Sequence, residues 1–254
     1  MKAAPKTVLI TGAAKRIGRQ LALSLAEAGY DVAIHCHHSR VEAEEVAKLI
    51  EAMGRKARVV QGDLELAETA ERLISESIAK LGSLSVLINN ASIFESDEVG
   101  SITPESWGQH EATNLRAPVL LSQAFARLLP TDHHGNIINI IDQRVWKLNP
   151  RFFSYTMSKT GLWTATRTLA QALAPRIRVN AIGPGPALPS VRMDEAEFQK
   201  QSRLTLLGRG TSPEEISAAA KFILSQPALT GQMIALDGGQ HLVWQTPDIV
   251  EVQE

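Results

Sequence analysis

Short runs of β-branched and apolar residues alternate along the whole chain with longer segments of helical spacing, and this alternation limits the possible folds more than any other feature. The runs are Thr7–Thr11, Asp31–His35, Ala57–Gln61, Val86–Asn89, Asn136–Ile141, Ile177–Ile182 and Met233–Leu236. Connections this long are not tight hairpins. They carry the chain back across a sheet as crossover helices, which makes neighbouring strands parallel and covers both faces. Ile17–Ala28 shows the helical pattern: Leu21, Leu25 and Ala28 share a stripe, and Gly29 then supplies a residue that turns left-handed easily. Ser212-Pro213-Glu214-Glu215 marks a helix start, with a capping hydroxyl, a proline in the first turn and acids beside the N-terminal dipole, for a helix to about Leu224.

The expected fold class is α/β: a single-domain, Rossmann-type doubly wound parallel sheet of about seven strands with helices on both faces. A cofactor half would span about residues 1–135, and a catalytic and substrate-loop half residues 136–254. With 44% hydrophobic residues in 254, one large core is attainable. Twenty-six basic against 27 acidic residues leave a formal charge of −1, so no broad basic field invites nucleic acid or an anionic membrane, and a small-molecule partner is expected. The single cysteine, Cys36, excludes an internal disulfide framework and fits a cytoplasmic protein. Met1–Lys6 leads into the first strand without a cleavable signal, and no apolar stretch reaches membrane-spanning length.

The first strand runs into Thr11-Gly12-Ala13-Ala14-Lys15-Arg16-Ile17-Gly18 and then a helix. Gly12 and Gly18 flank a turn whose free N–H groups can face a diphosphate, so Gly12, Arg16, Ile17 and Gly18 are cofactor candidates. Asp63 and Leu64, just past the third strand, are candidates for the adenine end, although an aspartate there also suits a helix cap. The second strand ends in His35-Cys36-His37-His38-Ser39-Arg40, without the carboxylate that would hold a ribose 2′-hydroxyl. His37, His38, Ser39 and Arg40 offer donors and a fixed cation instead, which suits a 2′-phosphate and favours NADPH over NADH. The alternative is a solvated polar loop. A zinc site among the three histidines lacks a fourth ligand, and no metal is expected. Gly183–Ser190, rich in Gly and Pro, directly follows the sixth strand and is expected to be a site loop.

Tyr155-Thr156-Met157-Ser158-Lys159 opens a long helical segment and sets Tyr155 and Lys159 one turn apart on one face. The spacing predicts a cation beside the phenol, lowering a pKa that starts near 10 toward the range useful for proton donation.

In this order, these pieces resemble the short-chain dehydrogenase/reductase family, from the Thr11–Gly18 turn to Leu236-Asp237-Gly238-Gly239. Asn89-Asn90-Ala91-Ser92 is similar to the family's segment after strand four, with Ser92 for the usual glycine; the resemblance implies that Asn90, Ala91 and Ser92 line the cofactor site. It also implies that Asn114 holds a water in a proton relay with Lys159, that Pro184 and Gly185 lie beside the nicotinamide, and that the assembly is a homotetramer through the helix after Pro104 and the one containing Tyr155. Arg16 stands where most members carry a glycine, and Asp142, 13 residues before Tyr155, where most carry a serine. With Phe94, these departures resemble the pteridine reductase branch, including dihydromonapterin-type reductases, where the matched residues contact the pterin or the cofactor phosphates. Arg16, Ser92, Phe94, Asp142, Tyr155, Gly185 and Leu188 are the candidate substrate residues. His38 departs from that branch, which often has arginine there.

A carboxylate about 4 Å from a developing ketone oxyanion would oppose it by roughly 4 kcal/mol at an effective dielectric near 20. A pterin instead offers ring N–H and amino donors, which an acceptor-only carboxylate can orient. The expected reaction is therefore hydride transfer from NADPH to a C=N bond of a pteridine, with Tyr155, Lys159, Asp142 and Asn114 at the catalytic centre. As alternatives, Asp142 is a strand-end turn residue, Phe94 is core, and the chain is a carbonyl reductase or a noncatalytic NADP(H)-binding scaffold.

Overall fold

The computed structural model describes residues 5–189 and 193–250. Most of the N-terminal segment, Ser190 of the expected site loop and the acidic tail from residue 251 lie outside the described residues. Seven strands form one sheet: β1 (Thr7–Ile10), β2 (Asp31–Cys36), β3 (Ala57–Gln61), β4 (Val86–Asn89), β5 (Gly135–Ile140), β6 (Ile177–Pro184) and β7 (Met233–Leu236). All neighbours are parallel, in the order β3-β2-β1-β4-β5-β6-β7. Three of the expected strands, β3, β4 and β7, recur with the same bounds, and the other four with ends shifted by one or two residues. β6 runs furthest beyond expectation, because Gly183 and Pro184 still pair with Ala235 and Leu236.

The strand order reverses between β1 and β4, whose ends lie level: Ile10 pairs with Ile34 on one side and Ile88 on the other. The connection leaving β1 crosses to one side of the sheet and that leaving β4 to the other, so a crevice opens at their carboxyl ends. Alternate residues feed the two faces. Val8, Ile10, Val32, Ile34 and Ile138 pack beneath α1 (Arg16–Glu27), α2 (Arg40–Ala52) and α8 (Pro213–Ser225). Leu9, Ala33, Leu87, Ile137 and Val179 face α3 (Glu68–Leu81), α5 (Ala117–Leu128) and α6 (Phe153–Leu173). Each fully buried Leu or Ile stabilises the fold by about 1.5–3 kcal/mol relative to exposure. Leu21 and Leu25 are buried as the α1 stripe predicts, whereas Ala28 lies just beyond the helix and caps it before Gly29 at φ +90°. Ser212 and Glu215 form a reciprocal capping box on α8.

One expected helix is divided. After α4 (Pro104–Glu111) the chain makes a π-helical turn, Ala112–Arg116, before α5 begins. Pro118 supplies the physical reason: it has no N–H for the carbonyl of Asn114, and its ring crowds that carbonyl. Asn114 therefore sits at a local widening of the helix, opposite α6.

Candidate active site

The turn after β1 is held from three directions. Thr11 donates its N–H to the Ile88 carbonyl (3.0 Å), and its hydroxyl oxygen accepts from the N–H groups of Asn90 (2.9 Å) and Ala91 (3.0 Å). The Asn90 amide donates to the carbonyls of Thr11 (2.9 Å) and Gly12 (3.2 Å). His35, buried on β2, accepts the Gly12 N–H at Nδ1 (3.1 Å), which fixes its proton on Nε2, from where it donates to the Gly62 carbonyl (3.1 Å). Both ring nitrogens are thus committed to the backbone. Burial, the largest influence, lowers the His35 pKa to about 4, so the neutral ring prevails near neutrality. Gly12 has φ +63°, and a Cβ on Gly18 would stand 2.1 Å from the Gly12 carbonyl oxygen, so both positions demand glycine.

Lys15 provides no side-chain cap to α1, and the first-turn N–H groups of Arg16, Ile17 and Gly18 have no carbonyl within the helix to meet. That ring of donors at a helix N-terminus fits a dinucleotide diphosphate. At the tip of β2 the rings of His37 and His38 stack at 3.6 Å, and Ser39 leads α2 without a side-chain cap bond. Arg40 donates to Gln61 Oε1 (3.3 Å) and Glu44 Oε1 (3.5 Å). Asp63 accepts the Glu65 N–H (2.9 Å) in a local turn and lies 3.9 Å from His37, while Leu64 is buried.

The crevice continues into a cleft of ≈ 400 Å³ lined by Arg16, Ile17, Asn90, Ser92, Phe94, Asp142, Tyr155, Lys159, Pro184, Gly185 and Leu188. Most of the expected site residues therefore converge, from five separate segments. Others were not anticipated: Gln143 and Arg144 after β5, Phe152 before α6, and Glu197 and Gln201 on α7 (Glu195–Arg203). Phe152 has φ +55°, a costly conformation for a bulky residue, and it sets its ring flat on Phe94 at 4.2 Å. Phe94, a candidate substrate residue, also meets the Tyr155 ring edge-on at 4.7 Å and so forms one half of a two-ring stack. Arg16, itself at φ +53°, donates its guanidinium hydrogens to the carbonyls of Pro189 (2.9 Å) and Leu188 (3.4 Å). Asn114 is fully buried; its amide donates to Ile93 O (2.9 Å) and Ser158 Oγ (3.1 Å), and its Oδ1 accepts from the Ile93 N–H (2.8 Å) and the Ser92 hydroxyl (3.2 Å).

A family model described as short chain dehydrogenase matches residues 6–201. The chain belongs to the short-chain dehydrogenase family. A 3-oxoacyl-[acyl-carrier-protein] reductase, FabG, of Staphylococcus aureus is 32% identical over 242 residues, covering 93% of this chain and 98% of that protein. The crystal structure of FolM alternative dihydrofolate reductase 1 from Brucella suis in complex with NADP is 49% identical, with a TM-score of 0.93 over 97% of this chain and 98% of its own. A blue fluorescent protein from a metagenomic library, in complex with NADPH, is 28% identical, with a TM-score of 0.86 over 92% of this chain and 97% of its own.

The electrostatics of this short-chain dehydrogenase correct one expectation. The Tyr155 phenol is not brought below its ordinary value of 10.0 but held well above it, first by burial and then by the charge of Asp142 and the hydrogen bond to it. Tyr155 Oη donates to Asp142 Oδ2 at 2.9 Å, whereas Lys159 Nζ lies 5.7 Å from the ring centroid and donates to the Ile140 carbonyl (2.9 Å). Burial lowers the Lys159 pKa to about 8 against the opposing pull of Asp142. Asp142, partly open to the cleft but crowded by protein, is raised by desolvation; the Arg144 N–H (2.8 Å), the Arg144 charge, the Tyr155 bond and Lys159 offset that only in part.

Proposed function

We propose that this chain reduces a C=N bond of a dihydropterin or related pteridine, with NADPH as hydride donor and Tyr155 as proton donor. One observation carries the proposal: a carboxylate, Asp142, accepts the hydrogen of the Tyr155 hydroxyl (2.9 Å) in a cleft that the stacked rings of Phe94 and Phe152 also line. The neighbouring FolM structure, by its description a dihydrofolate reductase, supports the same class.

The first-turn N–H groups of α1 would hold the cofactor diphosphate, and His37, His38, Ser39 and Arg40, with no carboxylate among them, suit a 2′-phosphate. Asp63, Leu64, Ala91, Pro184 and Gly185 complete the cofactor wall, and NADPH when bound supplies the hydride. Asp142 accepts two hydrogen bonds already and has lone pairs left for donors on a pteridine ring. Phe94 and Phe152 orient a flat heterocycle by stacking, and Ser92, Gly185, Leu188 and Arg16 close the walls. The raised pKa of Tyr155 keeps its proton in place until a strongly basic nitrogen develops, which is when donation is needed. Lys159, bonded to Ile140, anchors the floor of the site. The Asn114 amide is fully engaged, so a water relay would start from its main-chain carbonyl, which Pro118 frees.

Carbonyl reduction is the second reading, favoured by the FabG relatives and by the raised pKa of Asp142, since a protonated Asp142 would donate to a carbonyl oxygen as serine does. NADPH consumption with dihydromonapterin, dihydrobiopterin, dihydrofolate and a panel of ketones decides between them. Turnover of the ketones with none of the pteridines would overturn the proposal.

A further inference from the structure

A buried polar knot lies outside the cleft and behind the start of α6. Asp97, 4% exposed, comes from the loop that follows β4 and also carries Phe94. Its Oδ1 accepts the Ser154 N–H (3.0 Å), its Oδ2 accepts the Ser154 hydroxyl and the Ser106 hydroxyl (3.4 Å), and its main-chain carbonyl accepts the Phe153 N–H (3.2 Å). His110, on α4, accepts the Glu95 N–H at Nε2 (3.1 Å), which fixes its proton on Nδ1; that N–H is shared between the Ser106 carbonyl (2.9 Å) and Ser154 Oγ (2.7 Å). Ser154 directs its proton to Asp97, and all three side chains are buried, so this is no nucleophilic triad.

The residue preceding α6, Phe152, offers no side-chain cap to the helix. Asp97 therefore does from a distant loop what a capping residue normally does locally: its carboxylate accepts the Ser154 N–H and its main-chain carbonyl the Phe153 N–H, with the charge at the positive end of the dipole. Burial alone would push its pKa up, yet the bonds from Ser154 and the neighbouring His110 hold it below the ordinary range. The next residue along α6 is Tyr155, and the residue before the capped turn is strained Phe152.

We infer that Asp97 is a positioning residue for Tyr155: by capping α6 through Phe153 and Ser154 it fixes both the phenol against Asp142 and the Phe152 ring against Phe94. The inference rests on Tyr155 being the proton donor, and it holds for a pteridine or a ketone substrate. Asp97 touches no reacting atom, so its loss should separate chemistry from cofactor binding.

The test is Asp97→Asn, which keeps the shape and removes the charge, with Ser154→Ala as a second variant that keeps the backbone bond. The expected result for Asp97→Asn is a tenfold or greater fall in kcat on whichever substrate the parent turns over, with the Kd for NADPH within twofold. Amide exchange of the peptide spanning residues 152–158 should accelerate at least tenfold while that of α1 stays unchanged. Ser154→Ala should show a smaller loss of the same kind. Parental kcat within twofold and unchanged exchange at 152–158 would overturn the inference. If Asp97→Asn loses NADPH binding through misfolding, Ser154→Ala decides: a selective kcat loss upholds the inference and kcat within twofold overturns it. If the parent reduces only ketones, the pteridine proposal fails while the Asp97 effect is read on the ketone; if it reduces neither, the exchange measurement decides.

Discussion

The guanidinium of Arg144 lies 5.8 Å from the centre of the Phe94 ring and 5.1 Å from that of Phe152, and among the described residues no acceptor takes its hydrogens. Its charge nevertheless lowers the pKa of both Asp142 and Tyr155. In Arg144→Gln the backbone N–H that Asp142 accepts is retained, so the turn should survive while the Asp142 pKa rises further. Because an ionised Asp142 is the form proposed to hold ring donors, activity is lost as pH falls through that pKa, and the acid limb of kcat/KM should move to higher pH. A limb that stays put in the pH profile would mean that solvent screens the Arg144 charge. Asp142→Ser removes a charge-assisted contact of about 1.5–3 kcal/mol, a ten- to hundredfold loss on dihydropterins, whereas Tyr155→Phe should abolish turnover of every substrate. Steady-state kinetics of both variants checks this, and an Asp142→Ser activity within twofold of the parent would remove the orienting role. The spacing of Tyr155 and Lys159 was legible, but not which neighbour governs the phenol, because i,i+4 proximity does not reveal that the ammonium donates to Ile140 while Asp142 accepts the hydrogen bond from the hydroxyl.

At the scale of elements, β2 and the glycine turn share His35, and their union should be sensitive to acid. The folded pKa of about 4 lies below the ordinary 6.5, so the unfolded chain binds more protons between those values. The stability is intact above pH 6.5 and is lost progressively toward pH 4, by up to roughly 3 kcal/mol from this residue. Urea titrations at pH 7 and 4.5 should show that loss, and His35→Leu should remove its pH dependence while costing about 1–3 kcal/mol at pH 7 by orphaning the Gly12 N–H. The seven strands were readable because each is an apolar run with a clear end, and Ser212 announced α8 through its cap. The π turn was not: five residues of wider winding inside a helical stretch scarcely disturb its periodicity, although Pro118 stood as its marker. Phe152 was equally hidden, since nothing in Arg151-Phe152-Phe153 signals a positive φ. Asp97 escaped for a different reason, capping a helix whose sequence lies 57 residues away.

For the molecule as a whole, β7 ends the sheet with one edge unpaired among the described residues, and next to it a hollow of ≈ 540 Å³ lined by Phe222, Leu207 and Leu236 contains none of Tyr155, Lys159 or Asp142. Phe222 and Leu207, beside that open edge, are 52% and 70% exposed. For the homotetramer that the family resemblance implies, through the helix after Pro104 and α6, light scattering at micromolar concentration should return four times the mass of one chain; a fully active monomer would exclude it. Arg16 links two further regions. Its backbone belongs to the turn proposed to grip the diphosphate, and its side chain holds the carbonyls of Leu188 and Pro189 on the loop that walls the cleft. One residue thus ties the two ligand sites together, and the traffic through them should be sequential: NADPH enters first and NADP leaves last. Product inhibition should accordingly show NADP competing with NADPH alone, and Arg16→Gly, which frees the loop while relaxing the turn, should turn that compulsory order into a random one.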